Sequence, residues 1–389
     1  AAMKFTCFKK DISKALNTVS KAVTTRTTMP ILKGILLKVE DNTLTLTAYD
    51  LDILIETKIS VTGYENGELV VKAKLFNEII KKLPGEEVNI SSDESIFVPP
   101  DQVIPESEEV NISNYENKVI IKSDKSEFKI HGQSADEFPS AGDVSEKESI
   151  ILKSDDFIDM INKTSFAASL EESRGIIVGV LISLKQNFLT MVALDGFRVA
   201  LNNRAVPNEK EKNIIVTAKI LSEVASLLSE AENVSEISIV LDDRKAKINI
   251  DNTKVIIRLL EGEFISYESI IPENSKVKVT AGKDDLYNAI ERASLLSREG
   301  KNNLVKFEIK DNSIVISSKS EAGNLIEEIF VDKEGEDLEI GFNAKYLSDA
   351  LKAIDDESII LNFDSSVSPC SITPLVGSSF THLVLPVRI

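Results

Sequence analysis

Asp41-Asn42-Thr43-Leu44-Thr45-Leu46-Thr47 reads as a tight turn leading into a strand whose side chains alternate between two faces. Asn suits such a turn because it tolerates positive φ. Turns of the same kind recur at Gln186-Asn187-Phe188 and Asp311-Asn312-Ser313, each flanked by β-rich residues. Ahead of each lies a helical segment: Asp11 to Ala22, Asp155 to Ala167 and Asp284 to Leu296. Behind each, a strand runs into a second helix through an Ala-Lys pair: Ala73-Lys74, Ala218-Lys219 and Ala344-Lys345. The turn asparagines are 145 and then 125 residues apart, and the lysines 145 and then 126. Two independent markers in register define an internal repeat of three copies.

Past the second helix the first spacing shortens, because Glu137-Phe138 matches Glu263-Phe264 at 126 residues. The first copy therefore carries an insertion of 19 residues. It falls at about 92–117, which holds seven acids, no Lys or Arg, and Pro99, Pro100 and Pro105. Such a stretch reads as a solvated loop excursion, not a domain. Each copy is then an α+β unit with two helices packed on antiparallel sheets. Turn-rich boundaries after Phe138-Pro139-Ser140-Ala141-Gly142 and near Ile271-Pro272-Glu273-Asn274 divide the chain into 3–141, 142–272 and 273–389.

With 42% hydrophobic and 28% charged residues, the 389-residue chain has a globular composition that can supply a core to each copy. Ala1 and Ala2 precede Met3, which reads as the natural initiator, and are not expected to belong to the fold. The longest apolar run, Gly175 to Ile182, is too short to span a bilayer, and no secretory signal is evident, so a soluble, cytoplasmic protein is expected. Cys7 and Cys370 lack metal-ligand spacing and read as small buried hydrophobes; neither a metal site nor a disulfide is expected.

The net charge of −18 repels phosphate on average, so its distribution matters more than its total. In the second helix of copy one, Leu75, Phe76, Ile79, Ile80 and Leu83 share one face, and Lys74, Asn77, Lys81 and Lys82 the other. Lys219, Ser222 and Ser226 hold the matching places in copy two, and Lys345, Ser348 and Lys352 in copy three. In the first helix Lys10, Lys14, Asn17 and Lys21 line one side while Ile12, Ala15, Leu16 and Val19 face the core. One such face is an ordinary solvated surface; repetition at matched positions points to a phosphate-facing one, which needs only point charges and polar donors. Arg26, Arg174 and Arg298 lie in the loop after the first helix of each copy and could join it.

No catalytic constellation is present: His131 and His382 are isolated, and no glycine-rich phosphate loop or nucleophile elbow occurs. The best enzyme candidate, Leu194-Asp195-Gly196-Phe197-Arg198, reads more simply as a turn in which Asp195 bonds its own backbone and Gly196 takes positive φ. A hydrolase centred there would lose turnover on Asp195→Asn. The chain is expected not to be an enzyme and to need no cofactor.

Over Met3 to Ile389 the sequence resembles the bacterial DNA polymerase III β-subunit family, the sliding clamps. The resemblance rests on Met3-Lys4-Phe5, on Arg26-Thr27-Thr28-Met29-Pro30-Ile31-Leu32, on Ala193-Leu194-Asp195-Gly196-Phe197-Arg198-Val199-Ala200 and on Leu383-Val384-Leu385-Pro386-Val387-Arg388-Ile389. It implies a head-to-tail homodimer closed into a ring around duplex DNA. The ring would be held by Phe128 and Ile130 of one copy against Leu295 and Leu296 of the other. It implies a partner-peptide pocket from Ile177, Leu194, Gly196, Phe197, Arg198, Val199, Ile265, Ile270, Val367, Leu385, Pro386, Val387 and Arg388, serving the replicative polymerase, the clamp loader and repair proteins. Three features depart from the family: Ile265 where some members carry Pro, Gly175 and Ile176 in place of aromatics, and the insertion. The competing reading is a repeat-built interaction adaptor without a DNA role, which would not need matched lysine faces.

Overall fold

The computed structural model describes residues 3–93, 118–146 and 148–389; the bulk of the acidic insertion, 94–117, lies outside them. Six α-helices are described, two per repeat: α1 (Lys9–Val19), α2 (Ala73–Lys82), α3 (Ser154–Asn162), α4 (Ala218–Glu230), α5 (Lys283–Ser297) and α6 (Ala344–Lys352). Each repeat opens with a strand that feeds its first helix (Lys4–Phe8, Glu148–Lys153, Val277–Gly282), continues through an antiparallel meander into the second helix, and ends on three more strands. The strands flanking the insertion pair directly, Asp93↔Lys118, so the excursion joins two neighbours of one antiparallel pair.

The turn asparagines mark the repeat because they hold backbone. Val61 N donates to Asn42 O (2.9 Å), Val206 N to Asn187 O (3.2 Å) and Val331 N to Asn312 O (2.9 Å), the same bond in every copy. The expectation about φ needs correction in two copies. Asn187 does take positive φ (58°), but in copies one and three the preceding residues Asp41 (55°) and Asp311 (54°) take it. In copy one this leaves the Asn42 side chain to accept from Gly63 N (3.1 Å), which pins the next strand.

The helices bury the faces their periodicity predicts: Ile12, Ala15, Leu16 and Val19 on α1, Leu347, Ala350 and Leu351 on α6. Each large aliphatic side chain so buried contributes about 1.5–3 kcal/mol before entropy is counted. Two boundaries differ from expectation. Leu75 is 43% exposed, because the buried stripe Phe76, Ile79, Ile80 and Leu83 begins one residue later and leaves Leu75 on its border. The first helix of copy two stops at Asn162, where the Thr164 hydroxyl bonds back to Met160 O (2.7 Å) and a 3-10 turn replaces the helix up to Ala167.

By contacts the chain forms two compact units, residues 1–151 with 227–258 and residues 152–226 with 259–389, so repeat two is shared between them. The cause is sheet continuity at the junctions. In the first unit Thr253–Arg258 of repeat two pairs with Ile53–Ser60 of repeat one (Ile257↔Ile53), within a series of thirteen strands. In the second, Phe380–Val384 of repeat three pairs with Arg198–Ala205 of repeat two (Val384↔Arg198), within a series of nine. A further four-stranded sheet in that unit ends on the edge strand Gly323–Phe330. Cys7 and Cys370 are buried as expected. Burial, with Asp11 adding to it, pushes the Cys7 thiol up to about 12, and burial also raises Cys370, so both stay protonated and unreactive.

Candidate functional site

The turn between Phe188–Leu194 and Arg198–Ala205 borders an apolar cluster in the second unit, the place expected for the partner-peptide groove. Asp195 Oδ1 accepts from Phe197 N (2.9 Å) and Arg198 N (3.2 Å), and Gly196 sits at φ 92°, a conformation open to it because it has no Cβ. This is the turn the sequence predicts, and it commits Asp195 to backbone and to Arg198, not to catalysis. The turn lifts Phe197 out, 51% exposed, with its ring stacked on Tyr346 of α6 (centroids 6.0 Å, interplanar angle 16°).

Arg198, whose side chain is only 10% exposed, ties three segments together. Its Nε donates to Asp195 Oδ2 (3.2 Å), Nη1 to Asp349 Oδ2 (2.6 Å) and Nη2 to Phe166 O (3.2 Å). The guanidinium also lies 4.7 Å from the Tyr346 ring centroid and 5.7 Å from that of Phe166. Every nitrogen is engaged, so Arg198 acts as a strut of the groove wall.

Ile177, Leu194 and Val199 are buried together with Leu181, Val192, Leu201, Ile215 and Leu383, and Phe264, Tyr267 and Ile271 pack against this cluster. Ile265 and Ile270 stand exposed beside those last three, linked through Tyr267 N to Ile265 O (2.7 Å) and Ile270 N to Tyr267 O (3.0 Å). The final segment closes one side: Leu385 N donates to Phe197 O (3.0 Å) and Val387 N to Gly341 O (2.8 Å), leaving Pro386 half-buried and Arg388 exposed. Val367 is exposed on a loop, its N–H bonded to Ser365 Oγ (3.3 Å). Tyr346 and Phe166 were not picked out from the sequence, although Tyr346 directly follows the Ala344-Lys345 marker; Asp349 is legible there only as an acid at the edge of the α6 lysine face.

The same backbone occurs 145 residues earlier, in the first unit. Asp50 Oδ1 accepts from Asp52 N (2.9 Å) and Ile53 N (2.7 Å), Leu51 takes Gly196's place at φ 77°, and Arg258 N donates to Asp52 O (2.9 Å) as Leu385 N does to Phe197 O. The side chains differ. Where the second unit pairs Leu201 with Thr381, the first pairs Glu56 with Lys254, and these form an ion pair (3.3 Å). One scaffold built twice thus carries an apolar cluster at one junction and an ion pair at the other.

Behind the Arg198 strut, His382 is buried between Phe166 (6.0 Å) and Phe380 (5.8 Å), and its Nδ1 meets no hydrogen-bond partner among the described residues. Burial pushes its pKa down to about 4 from an ordinary 6.5. The unfolded chain therefore binds a proton that the folded chain refuses between these values, so stability is full above 6.5 and lost as pH falls towards 4. The loss reaches about 3 kcal/mol. Urea unfolding of wild type and His382→Phe at pH 7 and pH 4 is expected to show a smaller acid penalty in the variant; equal penalties would remove His382 as its source.

Among the helix-face cations, Lys10, Lys14, Lys74, Lys81, Lys82, Lys219, Lys345 and Lys352 are exposed, as is Arg26. Lys21 is turned inward, its Nζ bonded to Glu230 (3.2 Å) and to Asn17 O (3.4 Å). Arg174 Nη2 donates to Asp195 O (3.3 Å), which places it over the groove's turn. α3 carries acids instead, but Arg204 bonds Asp156 (3.0 Å) and Asp159, and Lys163 bonds Asp159 (2.8 Å). Burial alone would raise the Asp159 carboxyl; the hydrogen bonds from Lys163 and Arg204 outweigh it and hold the group below the usual range.

Two sheet edges complete the picture, one in each unit. Phe128 and Ile130 lie on Ser126–Gln133, which pairs fully with Lys118–Ser123. On its other side that strand meets Gly67–Lys72 only at Gly132 and Gln133, so Ser126 to Ile130 have no ladder partner there among the described residues. In the second unit, Leu295 (62% exposed) and half-buried Leu296 end α5, which packs against the edge strand Gly323–Phe330. Arg292 Nη2 bonds Glu327 Oε2 (2.9 Å) across that contact, and the strand exposes Ile326 and Phe330.

Three consecutive α+β repeats, joined by antiparallel sheets that run across the junctions, define a clamp fold. The N-terminal, central and C-terminal domain families of the DNA polymerase III beta subunit match residues 3–98, 151–265 and 268–388. The beta sliding clamp of Staphylococcus epidermidis is 34% identical over 397 residues, covering 99% of both chains. The crystal structure of the DNA polymerase sliding clamp from Bacillus subtilis covers 100% of both chains at 34% identity and a TM-score of 0.89. That of the beta subunit from Thermotoga maritima does so at 30% identity and 0.86. The chain belongs to the DNA polymerase III beta subunit family, the beta sliding clamps, which are non-catalytic processivity subunits.

Proposed function

We propose that two copies join head to tail into a ring that encircles duplex DNA without reading its sequence and tethers the replicative polymerase, the clamp loader and repair proteins through the groove. In this reading 3–141, 142–272 and 273–389 are the domains of each half-ring, and the protein acts in the cytoplasm, where bacterial DNA lies. No described helix is long and apolar enough to cross a membrane. The observation that carries the proposal is the recurrence of exposed lysines at repeat-matched helix positions, Lys74, Lys219 and Lys345, in a chain of net charge −18.

Phosphates need only such point charges, and contacts screened over about 8 Å at physiological salt can centre DNA without holding it in one register. A closed ring keeps hold by topology, so it needs little affinity. An acidic surface elsewhere disfavours binding from outside. Lys10, Lys14, Lys81, Lys82, Lys352 and Arg26 complete the phosphate-facing set. Lys21 is engaged by Glu230 and joins the set by leaving it, whereas exposed Arg174 spends only Nη2 on the Asp195 carbonyl and keeps donors free for phosphate. The groove would anchor Leu or Phe side chains of short partner peptides over Ile177, Leu194, Val199 and Leu385. Phe128 and Ile130 of one copy would meet Leu295 and Leu296 of the next, each side completing an open sheet edge.

The test is topological. Once placed on a nicked circle by its loader, the protein is expected to stay bound through gel filtration and to be lost when the circle is cut. Equal retention on both forms would remove encirclement.

A further inference from the structure

We infer that Asp349 couples the lysine-bearing face of α6 to the peptide groove, so that neutralising Lys345 firms the groove wall. One carboxylate oxygen, Asp349 Oδ2, accepts from Arg198 Nη1 (2.6 Å) and from Lys345 Nζ (3.3 Å). The two donors lie in different settings: the Lys345 side chain is 64% exposed and that of Arg198 only 10%. A phosphate can therefore take Lys345 but cannot reach Arg198. Directly after Lys345 in sequence comes Tyr346, whose ring faces the Arg198 guanidinium and stacks on Phe197.

The inference rests on the proposed roles of both faces and adds their connection. An oxygen shared by two cations holds each less firmly than it would hold one. When a phosphate engages Lys345, Asp349 serves Arg198 alone, and the guanidinium is fixed between Tyr346 and Phe166. Phe197 is then ordered before a peptide arrives, which lowers the cost of binding. By linkage, a bound peptide favours phosphate at Lys345 by the same factor. Asp195 also faces Arg198, through Nε, but makes no bond to Lys345 and so holds the arginine without linking the faces.

The experiment is anisotropy of a fluorescein-labelled peptide with Leu and Phe anchors on the full-length protein. Lys345→Met is expected to tighten binding about twofold, the size of one exposed i,i+4 ion pair. Asp349→Asn weakens it about tenfold by removing a charged hydrogen-bond partner from Arg198. In the Asp349→Asn background Lys345→Met then has no effect, and a short duplex that tightens wild-type binding about twofold does nothing. Because Lys345 is exposed, its substitution leaves the fold intact even if Asp349→Asn loosens it. Loss of binding on deleting Leu385 to Ile389 shows that the probe occupies the groove. A probe that fails to bind, or survives that deletion, brings down the groove reading and the coupling with it. A probe seated in the groove whose affinity responds equally to Lys345→Met, or to duplex, with and without Asp349 overturns the coupling alone.

Discussion

Leu295→Lys combined with Leu296→Lys is expected to turn the proposed head-to-tail dimer into monomers at micromolar concentration. Leu295 stands 62% exposed at the end of α5, beside an edge strand that exposes Ile326 and leaves Phe330 85% exposed. Apolar surface concentrated at one sheet edge marks a contact with another chain. Two ammonium groups placed there cost little in the monomer, where water reaches them, but in the dimer they are buried without partners. At about 2 kcal/mol or more each, the pair weakens each of the ring's two equivalent contacts by roughly a thousandfold. Sedimentation velocity over a concentration series, with far-ultraviolet dichroism to show the fold intact, reads the change. A dimer of unaltered strength would place the interface elsewhere.

The repeat was legible because its markers do backbone work. The asparagine at each turn accepts the same N–H in every copy, and the alanine of each Ala-Lys pair is buried where strand passes into helix. Periodicity likewise found the buried faces of α1 and α2, apart from Leu75 on the border of its stripe. What sequence could not give is pairing between distant segments. The ladders Ile257↔Ile53 and Val384↔Arg198 join strands about two hundred residues apart and leave no local pattern, so the division into two compact units cuts across the repeats. The groove was half legible for the same reason. Its turn follows from Asp195-Gly196, whereas Phe166 and the α6 residues Tyr346 and Asp349 are far off in sequence and meet the turn through Arg198 and Phe197. Charge faces were legible only as sets. Nothing near Lys21 in sequence announces Glu230, 209 residues away.

Deleting Leu385 to Ile389 is expected to abolish peptide capture while leaving the ring and the fold. The last strand, Phe380–Val384, completes its ladders to Arg198–Ala205 and Cys370–Pro374 before this segment begins. Beyond Val384 the backbone is held by Leu385 N to Phe197 O and Val387 N to Gly341 O, so its removal exposes two carbonyls to water and breaks one isolated bridge, Gly341↔Val387, but no ladder. The stability cost should stay near 1–2 kcal/mol, the worth of two partly exposed hydrogen bonds. The proposed groove, however, loses Leu385 and Pro386 and the contact that sets Phe197. Anchor side chains contribute about 2 kcal/mol or more each when they fill an enclosed pocket and little against an open surface. Affinity should therefore fall at least about a hundredfold by anisotropy, with the circle-retention result unchanged. If capture persisted at wild-type strength, partner peptides would have to bind elsewhere. The ion pair formed by Glu56 and Lys254 makes the repeat-related site in the first unit a poor substitute, because an apolar anchor entering there would have to desolvate it.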